Sequence, residues 1–179
     1  MFRKDLSWYD SAYMYPLAVL LLALAAIPAC TPKPGEASQD REALIAEARA
    51  TLDDFHAAAA AADSPRYFDH FATDGVFLGT DATERWTVDA FRAYAKPHFD
   101  AGRGWTYRAK ERHVDVDAGR AYAWFDEVLE NEKLGFCRGS GVLRREHGAW
   151  KIVQYNLTLV IPNALAVGVA DEIRRHDAK

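Results

Sequence analysis

Between residues 44 and 62, apolar side chains recur every three or four positions: Leu44, Ala48, Leu52, Phe55, Ala59 and Ala62. That spacing is one face of an α-helix, and Asp40 stands where an N-cap belongs. Ser64-Pro65 starts a second, shorter helix with Tyr67, Phe68 and Phe71 as its apolar residues, Pro fitting the first turn. "TDG" at 73–75 turns the chain into a short strand at 76–78. Thr87 caps a third helix whose stripe is Phe91, Tyr94, Ala95 and His98, with Pro97 disturbing its last turn. From residue 105 the pattern changes to alternation, and strands are predicted at 105–117, 120–130, 137–145 and 149–160. Helices first and a meander of strands afterwards predict an α+β fold, the helices packed on one face of an antiparallel sheet.

Turn signals extend this pattern to a register, because a one-residue slip would turn every side chain to the other face. A hairpin tip at Ala118-Gly119 puts Val116 opposite Ala121, Arg112 opposite Phe125 and Lys110 opposite Glu127. A three-residue loop "EHG" puts Arg144 opposite Trp150, Val142 opposite Ile152, Ser140 opposite Gln154 and Arg138 opposite Asn156. A connection centred on Lys133-Leu134 puts Glu127 beside Ser140. On this register one face carries Val114, Val116, Ala123, Phe125, Val142, Trp150 and Ile152, then Glu127, Arg138, Ser140, Gln154 and Asn156. Unpaired burial of such polar groups costs about 1–3 kcal/mol each, so a lined cavity with an open mouth is expected at that end. Of the adjacent carboxylates in "AWFDEVLENE", Glu127 is then the inward one and Asp126 the outward one. Tyr122, Trp124, Val128, Leu143, Val153, Tyr155, Leu157 and Leu159 fall on the opposite face. So much apolar area predicts a homodimer through that outer face; a bulge that turns part of a strand inward, or coverage by the C-terminal segment after Pro162, is the alternative.

The first thirty residues follow different rules. Arg3 and Lys4 precede an uninterrupted apolar run at 17–27 that ends in "IPAC". Eleven apolar residues are too few to span a bilayer and suit the h-region of an export signal. "IPAC" resembles the lipobox of bacterial lipoproteins, which implies lipidation at Cys30 and a cell-envelope protein held to the membrane by its lipid alone. A signal cut near Ala29, giving a soluble secreted or periplasmic protein, is the alternative, and Met14 is an alternative start. The expected layout is an export signal over 1–29, a Pro/Gly/Ser linker over 30–39, a folded body over 40–165 and a tail over 166–179. Cys137, the only other cysteine, is expected to be a small buried hydrophobe.

The body of the chain resembles the nuclear transport factor 2-like superfamily, in the order of its helices and in the closing meander "WKIVQYNLTLVIPN". "FLGTDATERW", "AWFDEVLEN" and "CRGSGVL" resemble its SnoaL-like branch more narrowly. The resemblance covers roughly residues 40–165. It implies a curved antiparallel sheet rolled around three N-terminal helices into a cone, with a pocket at the open end and dimers formed through the sheet. Members of the superfamily include ketosteroid isomerases and polyketide cyclases, which place an acid–base carboxylate in the pocket; many others only bind. Where the isomerases carry their base, this chain has Gly79, with Asp81 two residues on.

Candidate chemistry narrows accordingly. A net charge of −4 with no dense basic run excludes a nucleic-acid binder of the usual kind. The six histidines (56, 70, 98, 113, 147 and 176) show no metal-ligand spacing, and there is no phosphate loop or dinucleotide fingerprint, so neither metal nor cofactor is expected. Glu127 is the candidate general base for a cofactorless isomerase, cyclase or hydratase. The competing reading is a binding protein for a small, largely apolar molecule, with Arg138, Ser140, Gln154 and Asn156 orienting a polar group and Trp86 forming part of the wall. In that case Glu127 forms an ion pair with Arg138 or Lys110. A non-catalytic interaction protein is the third reading. His56 and His98 flank apolar stripes, either within reach of the cavity or hydrogen-bonded in the core, and Asp81 and Glu84 are candidates for its mouth.

Overall fold

The computed structural model describes residues 34–178, so the expected signal and Cys30 lie outside the described residues. Helix α1 (Pro34–Ala60) begins inside the expected linker, with Pro34 in the first turn, where its fixed φ suits a helix start. Leu44, Ala48, Leu52, Phe55 and Ala59 of its stripe are buried, but Ala62 is half-buried in the turn past the helix end. Asp40 falls inside the helix, not at its N-cap, because the helix already starts at Pro34. Asp63 rather than Ser64 caps α2 (Ser64–Asp69), accepting from the Arg66 N–H. Strand β1 (Phe71–Leu78) takes in the predicted "TDG" turn as an irregularity between Phe71 and Val76. A short strand β2 (Arg85–Thr87) stands where a loop was expected. The Thr87 hydroxyl caps α3 (Val88–Phe99), and the helix runs past Pro97 to Phe99. Of its predicted stripe Phe91 and Ala95 are buried, His98 is half-buried and Tyr94 is exposed.

Strands β3 (Arg108–Val116), β4 (Tyr122–Asn131), β5 (Gly135–Glu146) and β6 (Ala149–Leu159) complete one sheet in the order β2-β1-β6-β5-β4-β3. All its pairings are antiparallel except β1 with β6. The sheet curves around the helices: the α+β class is the one that the hydrophobic pattern implied, and the cone is the one that the family resemblance implied. Cys137 is fully buried. The expected tail folds as α4 (Asn163–Asp177), none of whose residues is buried. No helix among the described residues is long and apolar enough to cross a membrane.

Three turns differ from the predicted register, and each difference has a local cause. The Asp117 carboxylate accepts from the N–H groups of Gly119, Ala121 and Tyr122, widening the first hairpin. Val116 therefore pairs with Ala123, and Arg112 rather than Lys110 faces Glu127. Lys110 is paired with Glu130 instead. The Asn131 side chain accepts from the N–H groups of Lys133 and Leu134, closing the next turn so that Glu127 faces Gly139, not Ser140. The third turn is a two-residue one, with His147 and Gly148 both at positive φ (51° and 87°). That conformation matches the twist of a hairpin, and it pairs Arg145 rather than Arg144 with Trp150.

A bulge near Val153 then reverses the remainder of β6: Leu143 pairs with Ile152, but Gly141 pairs with Tyr155. As a result Tyr155 and Leu157 are buried; Leu143 on β5 is buried through the turn registers, which pair it with the inward Ala123 and Ile152. The bulge that stood as the alternative to an apolar outer face is thus present. Arg138, Ser140, Gln154 and Asn156 are corrected to the outer face, alternating with the inward Gly139, Gly141, Tyr155 and Leu157. What remains of that apolar face includes Tyr122 and Trp124, 46% and 49% exposed.

Candidate functional site

Glu127 is fully buried at the centre of β4 and faces inward, as the alternation required, whereas Asp126 is on the other face. Three donors converge on its carboxylate. His56 Nε2 on α1 and Tyr155 Oη on β6 both lie 2.8 Å from Oε1, and Arg112 Nε on β3 donates to Oε2 at 2.7 Å. The Arg112 guanidinium is anchored further by Asp53 Oδ1 at 2.6 Å and the Arg49 carbonyl at 3.2 Å, both on α1. Each partner follows from its element. His56 sits next to Phe55 on the sheet-facing side of α1, and Tyr155 reaches inward only because of the bulge.

The "RGSGV" segment supplies the space. A Cβ on Gly139 would lie 2.4 Å from Tyr155 Oη and 2.6 Å from Glu127 Oε1. A Cβ on Gly141 would lie 2.1 Å from the Gln154 carbonyl and 3.0 Å from the Phe125 ring. A glycine inside a strand often marks such a close approach. That signal was present in the sequence, and it locates the carboxylate's neighbours better than Ser140 did.

Burial by itself pushes the Glu127 carboxyl up, but the hydrogen bonds and charges of His56 and Arg112 outweigh it and hold the group below its ordinary value. Tyr155 is driven the other way: burial first, then the adjacent carboxylate, raise its phenol well above its usual range. The cluster at neutral pH is therefore an ionised carboxylate, a protonated phenol and a guanidinium. With the carboxylate ionised, His56 Nε2 carries the hydrogen of their bond. His56 Nδ1 has no hydrogen-bond partner among the described residues and is not sealed from solvent; it presents a lone pair when the ring is neutral and an N–H when the ring is charged.

His56 and Tyr155 form part of the wall of a cavity of about 240 Å³ that Glu127 itself does not reach. This is slightly below the usual range of about 300–1,000 Å³ for pockets that hold drug-sized ligands. Its walls are aromatic. Phe77 stacks on Phe91 with centroids 4.0 Å apart and on Tyr155 at 5.7 Å, and Trp86 lies 5.4 Å from Phe91 and nearly parallel to it. Trp86, the predicted wall residue, thus lines the cavity from β2, while Trp105 and Tyr107 contribute from the chain entering β3. Glu84, Tyr94, His98 and Leu134 are also on the lining, Tyr94 being 50% and Leu134 46% exposed. Of the two acidic candidates for the mouth, Glu84 lines the cavity and Asp81 does not. Among the described residues no three His, Cys, Asp or Glu side chains converge as a metal site would require.

The comparisons agree with this architecture. The model of the SnoaL-like domain family matches residues 48–162. No curated protein matches the chain. An NTF2-like protein of unknown function from Pseudomonas putida KT2440 superposes with a TM-score of 0.58 at 16% identity, over 68% of this chain and 90% of its own. A DUF3225-family protein from Pectobacterium atrosepticum gives 0.56 at 17% identity, over 68% and 94%. A ketosteroid isomerase-like protein from Erwinia carotovora atroseptica gives 0.50 at 20% identity, over 66% and 97%. At these identities the likeness shows the fold.

Proposed function

This chain belongs to the SnoaL-like domain family, and within that family we propose a domain that binds a small, largely apolar molecule in its cone pocket. The supporting observation is the ring-walled cavity with His56 set in its wall by a buried carboxylate. Rings supply apolar contact area at low entropic cost, and the few polar groups fix orientation. Arg138, Ser140, Gln154 and Asn156 have no part in this, because they face away from the cavity.

One observation favours a second reading, a cofactorless isomerase, cyclase or hydratase. Glu127 is a poor base: both oxygens are occupied, its pKa is lowered and it does not reach the cavity. His56 does reach it, and in the neutral ring Nδ1 carries a free lone pair. In this reading His56 takes a proton from the carbon next to a ligand carbonyl, and Glu127 is a positioning residue that holds the ring and stabilises the imidazolium. Tyr155 fixes the carboxylate from the other side.

α-Tetralone, a bicyclic aromatic ketone, tests both readings. Native mass spectrometry reports its binding, and proton NMR in D2O reports exchange of the hydrogens beside its carbonyl. The binding reading expects a one-to-one complex; failure of α-tetralone and of other small aromatic ligands to bind would refute it. The catalytic reading expects protein-dependent exchange that His56→Gln abolishes while the complex persists. Exchange that survives in His56→Gln would refute the assignment of the base.

Export, lipidation at Cys30 and pairing of two copies through the outer face around Tyr122 and Trp124 belong to the same proposal. The intact mass of the envelope-derived protein tests the lipid, and the native mass tests the dimer.

A further inference from the structure

We propose that the mouth of the cavity selects a cationic ligand, an aromatic or alkyl ammonium ion, through Glu84 and the surrounding rings. This inference rests on the cavity being a binding site and adds the sign of charge that it accepts.

Apart from its tyrosines, the ionisable side chains lining the cavity are Glu84, His56 and His98; among the described residues no Lys or Arg lines it. Glu127, just behind the wall, has Arg112 as its counter-ion, so its charge is largely compensated. Glu84 has no such partner. Among the described residues it forms no ion pair, and its Oε2 accepts only the Asp81 N–H at 3.3 Å. Elsewhere in the fold Asp54, Asp74 and Glu130 each hold an Arg or Lys, whereas beside Glu84 the Asp81 carboxylate has only Thr83 as a partner.

The backbone puts the Glu84 side chain where it is. The Gly79 N–H donates to the Glu84 carbonyl at 2.8 Å, closing the loop between β1 and β2. A Cβ on Gly79 would lie 2.1 Å from Glu84 Oε2 and 2.9 Å from its Cβ. Only glycine lets the carboxylate lie across the end of β1, against the cavity, and any larger residue at 79 would displace it.

The rings next to this carboxylate are those that stabilise cations. Trp86 and Tyr94 have centroids 4.5 Å apart, and Trp105 lies 6.0 Å from Phe91 on the same lining. The face of an aromatic ring carries negative electrostatic potential, strongest for Trp, and attracts ammonium groups, most so where water is excluded. A cation at the mouth would meet ring faces and one unpaired carboxylate; an anion would meet the same groups with the sign reversed. The rings give the apolar part of such a ligand its contact area, so both halves of the molecule are accommodated.

The test compares phenyltrimethylammonium with tert-butylbenzene, which has the same shape and carbon in place of the charged nitrogen. Dissociation constants are measured at pH 8 and low salt by quenching of tryptophan fluorescence, with native mass spectrometry as the second readout. Wild type is expected to bind the cation at least about tenfold more tightly than the neutral isostere. Glu84→Gln, which keeps the side chain's shape, is expected to remove most of that preference, weakening the cation's binding far more than that of tert-butylbenzene. Equal affinity of wild type for both molecules would overturn the cation preference while leaving the apolar pocket intact. Binding of neither would overturn the pocket reading as well. A preference that survives in Glu84→Gln would overturn the role of this carboxylate.

Discussion

Replacing Glu127 with Gln isolates the buried charge from the volume around it. The amide keeps the size of the side chain, and its oxygen still accepts from His56 and Tyr155, both 2.8 Å from Oε1. Its nitrogen must then face Arg112 Nε, now 2.7 Å from Oε2, and two donors oppose each other. Breaking a buried ion pair from one side costs about 3–5 kcal/mol, because the remaining charge is stranded. Here the cost is smaller, since Asp53 still holds Arg112 Nη1. We expect a loss of about 2–3 kcal/mol, which at a slope of about 1–3 kcal/mol per molar urea lowers the midpoint by roughly 1–2 M. Urea unfolding followed by tryptophan fluorescence and far-UV circular dichroism, with coincident transitions, measures it.

Two further measurements separate the ion pair from nonspecific damage. In a double-mutant cycle with Arg112→Met, the combined loss should fall short of the sum of the single losses by about 1 kcal/mol or more. The pH dependence has a fixed sign. The carboxyl is held below its ordinary value of 4.5 in the folded protein, so its stabilising contribution is fully present above that pH and is lost as pH falls through the folded value. The gap between wild type and Glu127→Gln should therefore narrow as pH falls below about 4.5. A loss under about 0.5 kcal/mol at neutral pH, strict additivity in the cycle, or a gap independent of pH would refute the buried ion pair as a stabilising unit.

Gly139→Ala should destabilise by about 1–3 kcal/mol, because the new methyl would occupy space taken by Tyr155 Oη and Glu127 Oε1; a neutral result by urea unfolding would mean that this close approach is not required. Gly148→Ala strains the two-residue turn at a φ of 87° and should cost about 1 kcal/mol, read from the same unfolding curves, without altering ligand binding. Trp124→Glu places a charge on the outer sheet face, where the indole is 49% exposed, and should convert the proposed dimer to monomer by analytical ultracentrifugation. An unchanged sedimentation coefficient would remove that face from the interface.

The hydrophobic pattern by itself determined much of this protein. Leu44 to Ala59 at helical spacing, Thr87 as a cap and the alternation through β4 place the helices, the four long strands and the α+β class. They also place Glu127 inside and Asp126 outside, because a strand's period of two leaves no other choice once Phe125 and Leu129 are buried. Trp86 and the two histidines flanking apolar stripes were legible as candidates for the same reason. The identity of the carboxylate's partners was not. Whether Ser140 or Gly139 faces Glu127 turns on one residue of loop length, which Asn131 sets by accepting two backbone N–H groups. Whether Tyr155 or Gln154 points inward turns on a bulge at Val153. Arg112 replaces Lys110 because Asp117 widens a hairpin. Each of these is a small local choice among turns of similar energy, made only when the whole sheet closes over the helices. His56 adds a contact from a residue 71 positions away in the chain, and no local periodicity carries that information. Periodicity assigns a side chain to a face; only the closed sheet decides which side chains on that face meet.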